Sequence, residues 1–206
     1  MVGCVAIVDL GTGNLRSVWR AVNRAGAASE VTDQPARLRA ADRIILPGVG
    51  NFARAMAGLR KAGLIDALQE AVFERRVPVL GICLGMEIMA EGSEEGRATG
   101  LGWFKCRVKR LKPQEPQKYK VPFIGWAPVR SVAESRLLRG IPPESEFYFL
   151  HSYFVDLGQD PAIAADAVHE TPFPAVIESG NILGVQFHPE RSHEAGIAVL
   201  KNFLSL

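Results

Sequence analysis

At 206 residues, 48% hydrophobic and 22% charged, the chain is long enough to bury the core of one large domain, expected to span 1–206. Its net charge of +2, from 24 basic and 22 acidic residues, excludes a strong electrostatic pull toward nucleic acid or membrane. The three cysteines, Cys4, Cys83 and Cys106, are neither paired in number nor closely spaced, which argues against a disulfide framework or a zinc cluster. No apolar run approaches the roughly 20 residues of a membrane span. The N-terminus lacks a basic region and cleavage site, so a cytoplasmic protein is expected.

The first half alternates short apolar runs with helical spacing. Residues 4–8 read as a first strand. Residues 15–25 read as a helix, with Leu15, Val18, Trp19 and Val22 on one face. A second buried strand is predicted over 43–46, helices over 52–59 and 64–75, and a third strand over 77–82. A further helix is predicted to begin at Leu84. This alternation predicts an α/β fold, with a parallel sheet covered by helices on both faces. Ligands of such sheets gather at the carboxyl ends of the strands. Three Gly-rich turns fall there: Gly11-Thr12-Gly13-Asn14, Gly48-Val49-Gly50 and Gly81-Ile82-Cys83-Leu84-Gly85.

In the second half, residues 101–111 and 121–129 are strand candidates around a Pro-rich loop at 112–120. Residues 146–156 are aromatic and β-branched. The runs 175–179 and 182–187, joined by Gly180-Asn181, predict a hairpin with a two-residue turn. A terminal helix over 194–204 turns Ile197, Leu200, Phe203 and Leu204 inward. A single domain with a mixed sheet accounts for all of this.

Cys83 carries the chemistry. A thiol between two glycines, where a strand turns sharply into a helix, is the cysteine form of a nucleophile elbow. The helix N-terminus would favour the thiolate. Gln186-Phe187-His188-Pro189-Glu190 follows another buried strand. Two residues apart in an extended segment, His188 and Glu190 point to one side, so the carboxylate can orient the imidazole toward a nucleophile. His193 and His169 read as solvated, His151 could line a site but has no evident partner, and Cys4 and Cys106 read as core.

Gly81-Ile82-Cys83-Leu84-Gly85-Met86, together with Gly184-Val185-Gln186-Phe187-His188-Pro189-Glu190-Arg191-Ser192, resembles the class I, triad-type glutamine amidotransferases. Other segments narrow the resemblance to the glutaminase subunits of imidazole glycerol phosphate synthases. They are Asp9-Leu10-Gly11-Thr12-Gly13-Asn14-Leu15-Arg16-Ser17, Leu46-Pro47-Gly48-Val49-Gly50, Glu91-Gly92-Ser93-Glu94-Glu95, Val121-Pro122-Phe123-Ile124-Gly125-Trp126 and Tyr148-Phe149-Leu150-His151-Ser152-Tyr153. The likeness runs from the first strand to the last helix.

The resemblance implies a single-domain fold: a mixed, mostly parallel central sheet with a smaller antiparallel sheet. It implies hydrolysis of L-glutamine by Cys83, His188 and Glu190, with no cofactor and no metal. The backbone N–H groups of Leu84 and Val49 would hold the oxyanion. Gly50, Glu87, Glu95, Ser152 and Tyr153 would bind the substrate. The implied partner is a separate (β/α)8-barrel cyclase in a heterodimer. It would use the ammonia to make imidazole glycerol phosphate and AICAR in histidine biosynthesis, docking on a face with Asn14, Trp126, Tyr148 and Arg191. Glu87 stands where the family usually has glutamine, Ala127 where asparagine usually follows Ile-Gly-Trp, and Leu10 where tyrosine is typical. Ala127 would weaken a partner contact. The rival readings are a paralogous glutaminase serving another synthase, such as one that aminates a surface sugar, a catalytically silent regulatory module, and an elbow-cysteine hydrolase acting on peptides or small acyl compounds.

Overall fold

The structure, a computed structural model, describes residues 3–11, 13–158 and 160–206. Met1 and Val2, read with the first strand, and Thr12 of the first Gly-rich turn lie outside the described residues. In chain order the elements are β1 (Val5–Val8), α1 (Leu15–Arg24), β2 (Ser29–Thr32), α2 (Pro35–Ala40), β3 (Arg43–Gly48), α3 (Phe52–Lys61) and α4 (Leu64–Gln69). There follow β4 (Val79–Cys83), α5 (Leu84–Glu87), β5 (Ala90–Ser93), β6 (Phe104–Arg110), β7 (Phe123–Pro128), β8 (Arg130–Ser131), β9 (Glu146–His151) and β10 (Tyr153–Asp156). The chain ends with β11 (Ile163–His169), β12 (Thr171–Ser179), β13 (Ile182–Val185) and α6 (His193–Leu204).

Among the described residues one sheet has eight strands in the order β2-β1-β3-β4-β13-β12-β11-β8. It is parallel from β2 to β13 and antiparallel beyond. The central strands are apolar throughout because both their faces are covered. In β1, Ala6 and Val8 pack into one core with α3 and α4, whereas Val5 and Ile7 pack into the other with α1 and α6. Asn14 and Asn51 cap α1 and α3, each accepting the N–H of the residue three further on. Two smaller sheets complete the fold. One is the three-stranded β10-β6-β5, antiparallel at β10 and parallel at β5. The other is the antiparallel ribbon β7-β9.

Several expectations meet a correction. The helix begun at Leu84 stops after one turn, because Leu101 and Trp103 N–H groups take the carbonyls of Ile88 and Met89 and draw the chain toward β5. The run at 64–75 changes from α4 to a wider π turn at Glu70–Glu74. The run at 146–156 is two strands in different sheets, broken at Ser152. The short elements β2 and α2 carry too little periodicity to be predicted, and the seven-residue β11 also went unpredicted. Cys4 is exposed rather than core, its N–H held by Asp42 Oδ2 at 2.8 Å, whereas Cys106 is buried.

Candidate active site

Three strand ends converge on Cys83. The parallel register pairs Gly48 of β3 with Cys83, and Val185 of β13 with Ile82. Residues just after β13 therefore lie beside the sulfur, although they are more than 100 positions away in sequence. Cys83 itself has φ +52° and ψ −111°, a left-handed conformation strained for a side-chain-bearing residue. Its neighbours are small for a steric reason. A Cβ on Gly85 would fall 1.6 Å from the Leu46 carbonyl oxygen, and one on Gly81 would fall 2.6 Å from Met86 N. The bend exists because glycine lets α5 press against β3 and β4.

His188 Nδ1–H donates to Glu190 Oε1 at 2.9 Å, and both side chains are at least 95% buried. The intervening residues form a short 3-10 turn, Pro189–Arg191, rather than the extended segment expected, and the turn still brings the two groups together. The backbone of His188 is clamped to β9: its N–H donates to Tyr148 O at 2.8 Å, while its carbonyl accepts from Ser192 Oγ at 2.7 Å. Ser192 Oγ in turn accepts Tyr148 N–H at 3.0 Å. His188 Nε2 is buried and makes no hydrogen bond of ordinary geometry, while the ring and the Cys83 sulfur lie near enough to shift each other's ionisation.

Burial pushes the Cys83 thiol above its ordinary value, against the pull of His188 and of the Leu84 N–H. Burial also works against the His188 imidazolium, but the Cys83 thiolate and Glu190 outweigh it and hold the ring up at about 10. Of the two, Cys83 acts the more strongly on the ring, and the hydrogen bond to the buried Glu190 carboxylate adds to it. The expected help from a helix N-terminus is small, because α5 is a single turn and desolvation exceeds it.

A cavity of about 230 Å³ opens beside the sulfur. It is lined by Val49, Gly50, Cys83, Leu84, Glu87, Glu95, Ser152 and Tyr153, all of them read as site residues from sequence. Pro122 and Leu150 also line it and were not so read, whereas His151, a candidate to line a site, does line it. Gly50 has φ +119°, which only glycine adopts without strain. Glu95 Oε2 accepts the Phe52 N–H at 2.6 Å, so this carboxylate sits at the start of α3 and at the cavity wall together. Glu87 is 5% exposed, and burial raises its carboxyl to about 8. His151 Nδ1 donates to Tyr153 O at 2.8 Å, which fixes its tautomer, and burial lowers the ring to about 4, so it is neutral.

The four residues read as a partner face separate into two groups. Trp126 is 41% exposed and stands edge-on to Tyr148, and Arg191 lies over the Tyr148 ring at 5.4 Å. His193 stacks on Trp126 at 4.9 Å instead of standing free in water, and His169 stacks on Phe123 at 4.3 Å. Asn14 is exposed but serves as the cap of α1. Ala127 is buried, so that position turns no side chain toward the face and the expected loss of a contact there does not arise. Among the described residues no group of three or more His, Cys, Asp or Glu is gathered as a metal site would need, and no helix is long and apolar enough to cross a membrane.

The family profile described as glutamine amidotransferase class-I matches residues 6–206. The imidazole glycerol phosphate synthase subunit HisH of Moorella thermoacetica is 46% identical over 200 residues, covering 97% of this chain and 93% of that protein. The HisH subunit of Leptospira interrogans is 38% identical over 203 residues, covering 98% and 100%. Among solved structures, PurLQS from Thermotoga maritima superposes with a TM-score of 0.77 at 19% identity, over 100% of this chain and 99% of that one, a likeness of fold.

Proposed function

The chain belongs to the class-I glutamine amidotransferase family, and on that premise we propose that it hydrolyses glutamine as the ammonia-producing subunit of an imidazole glycerol phosphate synthase in histidine biosynthesis. The whole chain acts as one glutaminase domain, in the cytoplasm. The observation that carries the reading is a strained, Gly-flanked cysteine at the wall of a cavity, coupled to a buried imidazole that a buried carboxylate already orients.

Cys83, having given its proton to His188, attacks the side-chain carboxamide carbon of glutamine. The tetrahedral oxyanion is held by the N–H groups of Leu84 and Val49, both at the cavity wall. His188 returns the proton to the departing nitrogen, ammonia leaves, and a γ-glutamyl thioester remains. Water, deprotonated by the same imidazole, then hydrolyses the thioester to glutamate and frees the thiol. Glu190 keeps the ring aimed throughout. Gly50, Glu87, Glu95, Ser152 and Tyr153 hold the amino-acid portion of the substrate, and the neutral His151 beside them adds no charge.

Ammonia released into water would protonate and diffuse, so a dry path to a second active site is needed. The partner is a separate (β/α)8-barrel cyclase. Its docking face here is the ribbon β7-β9 with Trp126, Tyr148 and Arg191, flanked by Asn14. Aromatic and Arg side chains are favoured anchors, and Tyr148 shares its backbone with the clamp on His188. The test is glutamate release with a cognate cyclase and its nucleotide ligand, alongside labelling by diazo-oxo-norleucine. Labelling of Cys83 and partner-dependent turnover are expected. A protein that turns over glutamine equally well as Cys83→Ala refutes the reading.

A further inference from the structure

Gln186 follows β13 and has no solvent exposure, yet its side chain is not explained by packing alone. Its Nε2 is 3.0 Å from Glu87 Oε1 and 3.7 Å from Cys83 Sγ, so one amide group spends a hydrogen on each. Its Oε1 is buried without a partner. Leaving a buried amide oxygen unsatisfied is unfavourable, and apolar residues line this part of the core in quantity. An amide kept there at that disadvantage acts through its donors.

We propose that Gln186 is a positioning residue for the nucleophile, its amide anchored by Glu87 and donating to the Cys83 sulfur so that the thiolate is held and stabilised inside a buried site. This rests on Cys83 being the nucleophile, as read above. The sulfur has two backbone and side-chain neighbours of opposite effect. The Leu150 carbonyl at 3.7 Å can only accept, so it favours the thiol. Gln186 can donate, so it favours the thiolate. The other groups facing this pair are His188, which favours the thiolate, and Glu87 itself, whose charge disfavours it. Glu95, which also lines the cavity, acts on Glu87 through its charge, and Glu190 acts through His188. Glu87 therefore works in two senses: its oxygen orients the amide, and its negative charge, when present, opposes ionisation of Cys83.

The experiment follows alkylation of Cys83 by iodoacetamide as a function of pH, read by peptide mass mapping so that exposed Cys4 does not interfere, in the full chain. In Gln186→Met the rate at pH 7 should fall about tenfold and the midpoint should move to higher pH, the effect of removing one hydrogen bond to an anion. In Glu87→Gln, which keeps an acceptor for the amide but removes the charge, the midpoint should move to lower pH. Should Gln186→Met lose its near-ultraviolet circular dichroism, Gln186→Asn, which withdraws the amide by one methylene, replaces it with the same expected direction. A folded Gln186 variant with the profile of the unsubstituted protein overturns the proposal. So do shifts of both variants in the same direction. Failure of Cys83 to react in the unsubstituted protein, with full glutaminase activity in Cys83→Ala, overturns instead the assignment of the nucleophile.

Discussion

The elbow around Cys83 and the outer face of the ribbon β7-β9 are built on opposite principles. From Val79 to Ala90 every residue is buried, and a single added methyl at Gly85 would meet backbone. On the ribbon, Ile124 is 58% and Trp126 41% exposed, and the rings there touch mainly one another and the side chains of Arg191 and His193. The elbow is finished by its own chain. The ribbon presents apolar surface of the sort that another surface covers. The two are joined through Tyr148, whose ring lies on the open face and whose backbone fixes His188 and Ser192. A partner seated on the ribbon would therefore press on the backbone that holds His188.

The contrast can be broken most sharply at the sulfur. Cys83→Ala should lower partner-stimulated glutamate release about 10³-fold or more while leaving the fold intact, since alanine removes only one atom from the elbow. Gly85→Ala should do the reverse kind of damage. The clash with the Leu46 carbonyl cannot be relieved by a rotamer, so urea unfolding should show a loss of about 3 kcal/mol or more.

The buried carboxyl offers a pH-dependent version. Burial raises Glu87 from 4.5 to about 8 in the folded protein, so between those values the folded state holds a proton that the unfolded state has released. Its contribution to stability is thus fully present below about pH 4.5 and is lost as pH rises through about 8. Relative to Glu87→Gln, the unsubstituted protein should lose about 2 kcal/mol between pH 6 and pH 8. Parallel curves for the two proteins would mean that Glu87 is not desolvated.

The ribbon should answer differently. Trp126→Ala should change stability of the isolated chain by no more than about 0.5 kcal/mol, yet weaken binding of the cyclase about tenfold, measured by calorimetry. Equal loss in both measurements would make Trp126 a core residue and the ribbon no docking face.

The cysteine elbow was legible because its requirements are local. Glycines on both sides of a thiol, after an apolar run and before a helical start, are demanded by one bend of the chain. The alternation of strands and helices in the first half was legible for the same reason. The breaks were not. Nothing in the run at 84–90 announces that Leu101 and Trp103 will capture its carbonyls, and nothing at 146–156 announces that β9 and β10 will serve different sheets. His151 and Leu150 reach the cavity only because β9 ends there, and Gln186 was passed over because its partners, Cys83 and Glu87, are about 100 positions away.

By itself, then, the order of residues determined the class of fold and pointed to Cys83 as candidate nucleophile and His188 as its candidate base, since periodicity and Gly spacing are properties of neighbours along the chain. Tertiary structure alone decided which side chains share the cavity, that Glu87 is desolvated, that Ala127 faces inward and that Gln186 stands between Glu87 and the sulfur. The physical reason is that solvent access and long-range hydrogen bonds arise only when the parallel register of β3, β4 and β13 brings distant segments to one edge.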